Sequence, residues 1–387
     1  MRKLYYEDIH MTDFTATVED CIFDEANNCY QLVLDQTAFF PEEGGQLADK
    51  GTLGDMEVLD VQIREDLIYH AVPSPISVGS TVSGQVDWQQ RFDFMQQHTG
   101  EHILSGLIHT HFGFDNVGFH LGLDEVTMDM NGELSLSQLR ILEQEANAII
   151  WRNLPVLITS PTPEALSQSE YRSKLELTEN VRIVEIPGVD SCACCAPHVD
   201  STGQVGLLKI TNVMRHRGGV RINILCGNRA LADYTAKQDS VTDVSVQLSA
   251  KQNAIGEAVT RLREENLRWK EKCNGLQTKL LTLSIDTLPS PLDSKHAILF
   301  VEEINDITMR NAINELMTTY SGYCAFFVGN DEAGYRFIIG SSNLDCRELA
   351  TALRENFAAK GGGSAPMIQG SIQAKHAELE AFIRQFK

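Results

Sequence analysis

The sequence predicts an α+β protein built in four parts. These are a small β-barrel-like domain over residues 1–87, an α+β domain over 88–238, a long helical linker over 239–288, and a small α/β domain over 289–387. The length of 387 residues already exceeds one compact core, at ~100–200 residues per domain. Apolar residues alternate at a period of two in the first part and switch to helical spacing after Val86. Residues 241–283 then carry an apolar side chain at every seventh position, a rule the rest of the chain lacks.

In the first part, the runs YQLVLDQ, MEVLDVQI and LIYHAV read as strands separated by Gly, Pro, Asn and Asp turns. TAFFPEEGGQLADKG, from Thr37 to Gly51, reads as a loop around Gly44 and Gly45. VDWQQRFDFMQQHTGEHILSGLIHTHF repeats apolar residues at helical spacing through Phe94, Ile103, Leu104, Leu107 and Ile108. A second helix is expected over Leu134–Trp151, capped by Ser135 or Ser137. Strands return at VRIVEI, VGLLKITNV and VRINILCG. The seven-residue series Val241, Leu248, Ile255, Leu262, Trp269, Leu276 and Leu283 permits one helix of 43 residues, stopped by Pro289 and Pro291. Its second seam is poorer, with Lys251 interrupting, so the helix either pairs with a second copy or folds against its own neighbours. Beyond it, HAILFVEEI, YCAFFVGN and YRFIIGSS alternate with helical stretches and lead to KGGGSAPMIQGS.

Composition excludes several classes. With 43% hydrophobic and 22% charged residues, the chain is neither disordered nor fibrous. No apolar run reaches the ~20 residues needed to span a bilayer, and MRKLYYEDIHMTDF lacks the apolar core of a signal peptide. Nine cysteines, three of them at Cys192, Cys194 and Cys195, suit a reducing cytoplasm with thiols free to bind metal. The net charge of −21 argues against generic nucleic-acid binding. That charge is concentrated in residues 1–240, which hold 16 Lys and Arg against 35 Asp and Glu. Within this acidic stretch lies a basic island of Arg215, His216, Arg217, Arg221 and Arg229, enough for a local polyanion cradle.

Two ligand pairs carry the chemistry. His98 and His102, four apart on a helix, share one face. About ninety residues on, CACCAPHV places Cys194 four before His198. Two histidines, a thiolate and a third histidine are a full tetrahedral set for zinc. Chemistry alone leaves Cys192 and Cys195 open as substitutes for Cys194. The same residues His98-Thr-Gly-Glu101-His102 also match the H-x-x-E-H signature of a zinc protease, with Glu176 or Glu179 available as the third ligand. That reading leaves the cysteine cluster idle.

Taken together, TAFFPEEGGQLADKG, VDWQQRFDFMQQHTGEH, CCAPHVDSTGQVGLLKI with VRINILCG, and KGGGSAPMIQGS resemble the editing and C-terminal domains of alanyl-tRNA synthetase. The arrangement is most similar to the long form of the free-standing AlaX trans-editing proteins, without an aminoacylation region. The resemblance implies a zinc-containing editing domain, with one Zn2+ per chain on His98, His102, Cys194 and His198. It implies deacylation of Ser-tRNA(Ala), and of Gly-tRNA(Ala), in the cytoplasm. Further implications are nucleotide binding and a homodimer formed through the linker helix or the C-terminal domain. Its glycine motif falls on Gly44, Gly45 and Gln46, its neighbouring Thr on Thr37, and a later segment makes His120 a pocket candidate. Where the family carries Gly-Thr before its last ligand, this chain has Ala196 and Pro197. Alanine is smaller than serine, so a pocket for serine must reject alanine through the hydroxyl, and Thr37 is the candidate reader. Lys209, Arg215, Arg217 and Arg221 are candidates for the acceptor-end phosphates, and Gly361, Gly362 and Gly363 for a close RNA contact. A tRNA-binding protein with a purely structural zinc is the third class left open.

Overall fold

The computed structural model describes residues 1–166, 168, 171–173 and 181–386. They form a mixed α+β structure in two compact units, Met1–Asp243 and Val244–Lys387.

In the first unit a seven-stranded antiparallel sheet runs in the order Met56–Glu57, Gly51–Leu53, Thr81–Val86, Asp13–Asp24, Cys29–Leu34, Leu67–Val72, Asp60–Arg64. Strand Asp13–Asp24 serves both halves. Asp13–Thr17 pairs with Thr81–Gln85, and after an irregularity between Val18 and Asp20 the remainder pairs with Cys29–Leu34. The β-barrel-like expectation is corrected here, because the ladder stays open. Its edge strands, Met56–Glu57 and Asp60–Arg64, each pair with one neighbour, Gly51–Leu53 and Leu67–Val72, and among the described residues no ladder joins them to each other.

Helix α1 (Trp88–Phe112) follows. The Asp87 carboxylate accepts from the amides of Gln89 and Gln90, and Gly113, at φ 67°, ends the helix in the left-handed region. Sixteen of its residues are buried, so it is enclosed on all sides rather than amphipathic. Two glycines permit that enclosure. A Cβ on Gly100 would lie 2.3 Å from Cys226 Sγ, and one on Gly106 would lie 2.6 Å from the Val189 carbonyl. Helix α2 (Leu136–Arg152) starts with a capping box between Ser135 and Gln138, which selects Ser135 from the two candidate caps. A one-turn helix, α3 (Pro163–Leu166), comes next.

A four-stranded antiparallel sheet (Asn116–Leu121, Val126–Met130, Gly219–Cys226, Leu208–His216) and a three-stranded one (Leu157–Thr159, Ile183–Ile186, Asp190–Ala193) complete this unit. The unit holds two large apolar cores, one from Leu4 to Val86 with Ala196, the other from Phe94 to Cys226. Cys194 packs against both. The region of the metal candidates therefore lies where two cores meet.

The expected single helix over 241–283 is broken in two. Helix α4 (Gly227–Gln247) ends at a turn in which Ser249 takes φ 47°, the Ser245 hydroxyl bonds the Ala250 carbonyl, and a short 3₁₀ turn leads into α5 (Ile255–Asp286). A left-handed serine backbone cannot continue a right-handed helix. On α5, Leu262, Trp269, Leu276 and Leu283 are exposed.

The second unit also contains a five-stranded sheet ordered Ala297–Val301, Cys324–Asn330, Gly334–Gly340, Met367–Ile372, Lys360–Ser364. Helices α6 (Asp306–Thr319), α7 (Cys346–Phe357) and α8 (His376–Gln385) supply apolar faces to its cores. No helix among the described residues is long and apolar enough to cross a membrane.

Candidate metal centre

His98 and His102 project from α1 towards the loop that carries Cys194 and His198. One ligand atom from each of the four lies within 4.8 Å of all the others. Each histidine is held by its Nδ1: His98 by Gln46 Oε1 at 2.9 Å, His102 by Asp190 Oδ2 at 3.0 Å, His198 by Thr99 Oγ1 at 3.0 Å. This leaves every Nε2 facing inward, the arrangement by which outer hydrogen bonds orient metal-binding imidazoles. Cys194 Sγ is 3.5 Å from His98 Nε2 and 3.4 Å from His198 Nε2. A tetrahedral zinc with Zn–N of ~2.0 Å and Zn–S of ~2.3 Å separates nitrogen from sulfur by about 3.5 Å. The donor set and its spacing fit a zinc ion.

Local folding explains the placement. The close approach at Gly106 brings Val189 and Asp190 onto α1, within reach of His102. Arg172 closes on Asp190 with two bonds, at 2.7 and 2.9 Å. On the other side, the Cys194 amide donates to the Arg182 carbonyl at 3.0 Å. The Arg182 guanidinium returns bonds to the carbonyls of Cys194 and Ala196 at 2.9 and 2.8 Å. Pro197, which has no amide to give, sits in a segment held through carbonyls instead.

Electrostatics separate the three thiols. Burial opposes ionisation of Cys194, yet His98 and His198 beside it hold its thiol well below the ordinary range. Burial pushes Cys192 up to about 11 and Cys195 higher still. Cys195 Sγ lies instead against Gly44, 3.3 Å from where a Cβ there would be. Burial also lowers His198, to about 3, so its imidazole is neutral. In His102, burial is outweighed by Asp190, which raises its basicity.

The glycine loop forms part of the wall. Gly44 and Gly45 have φ of 64° and 83°, and a Cβ on Gly45 would lie 2.3 Å from the Phe119 carbonyl. That contact seats the loop on strand Asn116–Leu121 and delivers Gln46, fully buried, to His98. While Gln46 Oε1 meets His98, its Nε2 is buried without a partner. The cluster opens on a cavity of about 1540 Å³ lined by residues including Tyr6, Gly44, Glu101, Phe119, Arg172 and Arg182.

Other candidates fall elsewhere. Thr37 is fully buried and does not line the cavity; its hydroxyl bonds His70 Nε2 at 2.8 Å and accepts the Phe39 amide at 3.1 Å. The geometry thus gives Thr37 a structural bond in place of the expected substrate contact. His120 is exposed on its strand and does not line the cavity either. Lys209 pairs with Glu143 at 2.5 Å, and Arg221 grips Asp129 through two bonds of 2.7 and 2.8 Å. Arg215 and Arg217 are exposed at the turn between strands Leu208–His216 and Gly219–Cys226. Gly361, Gly362 and Gly363 lie in the exposed edge strand Lys360–Ser364, with open space around Gly362. Glu176 and Glu179, the protease candidates, lie outside the described residues.

Sequence reasoning missed Asp190, Thr99, Arg172 and Arg182. Thr99 was within the histidine motif, but Asp190 is 88 positions from the His102 it orients and carries no local signal.

This fold and site define a class, that of proteins with the additional domain shared by two synthetases. Residues 181–223 match the threonyl and alanyl tRNA synthetase second additional domain, and residues 3–90 match tRNA synthetases class II (A). Among full-length relatives, the alanyl-tRNA editing protein AlaX-L of Pyrococcus horikoshii is 27% identical, covering 98% of this chain and 96% of that protein. The alanyl-tRNA editing protein Aarsd1 of Rattus norvegicus is 26% identical over 100% of this chain and 98% of its own length. The alanine–tRNA ligase of Pyrococcus abyssi is 30% identical across 98% of this chain, which spans only 43% of the ligase. Over its whole length the chain is thus similar to free-standing alanyl-tRNA editing proteins of the AlaX-L and Aarsd1 kind.

Proposed function

We propose that this protein is an aminoacyl-tRNA deacylase that hydrolyses the ester of serine, and of glycine, mischarged on tRNA(Ala). The observation that carries this reading is the convergence of three oriented imidazoles on the Cys194 thiolate at the mouth of a large cavity. His98, His102, Cys194 and His198 would hold one zinc ion. Bound there, zinc supplies Lewis acidity towards an ester carbonyl.

The chain's own residues supply binding and selectivity. An aminoacyl ester is activated, so positioning and stabilisation of the developing negative charge suffice. Gln46 does not itself line the cavity, but unlike Thr37 it keeps a buried donor, Nε2, without a protein partner beside the cluster, and we assign that donor to the serine hydroxyl. An alanyl ester leaves this donor unsatisfied, a penalty on the order of 1–3 kcal/mol for one buried group. The histidines of the cluster are nearly fully buried, so charges and dipoles beside them act in a low-dielectric setting.

Arg215 and Arg217, exposed together, are the residues we assign to acceptor-end phosphates; Lys209 and Arg221, already neutralised by carboxylates, contribute less. The open strand at Gly361–Gly363 serves as a second RNA contact. The exposed seven-residue series on α5 supports a homodimer, and nine free thiols support a cytoplasmic setting. Release of serine from Ser-tRNA(Ala), measured before and after chelation and again after zinc is restored, tests the reading. Release that is lost and then regained supports it, and no release under any condition refutes it.

A further inference from the structure

We infer that Tyr6 is a stacking platform for the terminal adenine of the tRNA, the base of the nucleotide whose ribose carries the amino acid. This rests on the deacylase reading above and adds a base-binding residue on the cavity wall.

Among the described residues, three Tyr and Phe rings line the cavity: Tyr6, Phe119 and Tyr171. Phe119 lies against His98, with ring centroids 4.8 Å apart, and Tyr171 packs on the small core of Leu166, Val181 and Ile183. Both are half-buried, whereas Tyr6 is 41% exposed. That exposed ring is nevertheless firmly held. Tyr5, fully buried, meets it in a T-shaped contact at 4.6 Å and continues to Phe40 in the core at 5.4 Å. Arg182 Cζ lies 5.3 Å from the Tyr6 ring centroid, within cation–π range. Its guanidinium is itself fixed by the carbonyls of Cys194 and Ala196. A ring held in this way loses little freedom when another ring stacks on it, which favours binding there.

The chemistry of the substrate supplies the second ring. The terminal nucleotide of a tRNA is unpaired, and stacking on aromatic side chains is how unpaired bases are held. Base and amino acid leave the same ribose. One guanidinium bridges the Tyr6 ring and the backbone of Cys194, so a base on that ring keeps its own ester within reach of the cluster. Lys3, at the start of the same turn, also lines the cavity. Its amine stands 3.7 Å from Asp66, whose side chain is 96% exposed, an ion pair weak enough for a phosphate to displace. A ring for a base and an amine for a phosphate, three residues apart, are the parts of a nucleotide site.

Tyr6→Leu removes the ring and keeps apolar bulk, while Tyr6→Phe keeps the ring. Zinc-loaded parent and both variants are compared for bound zinc and melting temperature. Each is then titrated by calorimetry with two uncleavable amides, 3′-seryl-amino-3′-deoxyadenosine and the same sugar without its base. The parent should bind the adenosine compound about 5- to 150-fold more tightly, the worth of one stacked base. Tyr6→Phe should keep that ratio and Tyr6→Leu should erase it, with zinc content unchanged in both. On Ser-tRNA(Ala), Tyr6→Leu should raise KM and spare kcat, because stacking made equally in ground and transition states is uniform binding. Equal affinity of the parent for the two amides, or a ratio that survives Tyr6→Leu, would overturn the assignment. So would adenosine 5′-monophosphate binding more tightly than the seryl compound, the mark of a free-nucleotide site. Should Tyr6→Leu not fold, Tyr6→Trp decides: the adenosine compound should quench its fluorescence beyond that of the parent, and the baseless one should not. A parent that releases no serine from Ser-tRNA(Ala) would sink the deacylase reading, while the affinity ratio still decides on Tyr6.

Discussion

Replacing Asp190 by Asn removes one charge at nearly constant volume, and its effect can be worked out from three bonds. Oδ2 accepts from both His102 Nδ1 at 3.0 Å and Arg172 Nη2 at 2.9 Å, while Oδ1 accepts from Arg172 Nε at 2.7 Å. An amide has only one acceptor. With its oxygen turned to His102, its NH2 meets the Arg172 Nε–H; turned the other way, it meets His102. Either arrangement loses at least one charge-assisted bond of ~1.5–3 kcal/mol. Partners that orient metal-binding histidines are each worth about 10- to 100-fold in metal affinity. We therefore expect zinc to bind Asp190→Asn about 10- to 100-fold more weakly, roughly 1.4–2.7 kcal/mol. Competition with a chromophoric chelator at fixed pH measures this. A zinc affinity within twofold of the parent, in a variant of unchanged circular dichroism, would refute the claim that Asp190 orients His102.

Cys194→Ala should abolish zinc binding, whereas Cys192→Ala and Cys195→Ala should keep it; equal loss from all three by metal analysis would mean the wrong thiol was chosen. Asp49→Ala leaves the fully buried Arg91 without its carboxylate, so chemical denaturation should show a loss of about 3–5 kcal/mol, and a loss under 1 kcal/mol would contradict it. Burial holds His70 near a pKa of about 4, so between the ordinary value of ~6.5 and that value only the unfolded chain takes up its proton. Stability should accordingly fall as pH drops through this window, by up to ~1.4 kcal/mol per unit, and His70→Gln should flatten that segment of the curve. Leu262→Glu with Leu276→Glu should halve the mass seen by sedimentation, since both side chains are exposed on α5; an unchanged mass would leave that face without a second copy.

The four candidate ligands, which the structure brings together, were legible where their residue types repeat at helical spacing. His98 and His102 share one face of α1 because four residues make about one turn, and Cys194 and His198 were marked by the rarity of such a set. The start of α2 was narrowed to Ser135 or Ser137, and the structure's capping box with Gln138 selects Ser135. What remained hidden depends on distant packing. The seven-residue series runs through the break at Ser249 unaltered, because apolar spacing records a face and not the backbone angle of one serine. Thr37 sits beside the glycine motif in sequence, yet its hydroxyl turns to His70, 33 residues away. Gln46 could be named as a candidate from its motif, but its unpartnered Nε2 emerges only when His98 claims its oxygen.

Selectivity between esters on one tRNA tests the account most directly. Deacylation of Ser-tRNA(Ala) and Ala-tRNA(Ala) should be followed side by side with zinc-loaded parent and Gln46→Leu. The parent should cleave the seryl ester in clear preference to the alanyl ester, and the substitution should narrow the gap by about 5- to 150-fold, the worth of one buried hydrogen bond. A parent that cleaves both esters at the same rate, or a gap untouched by Gln46→Leu, would contradict it.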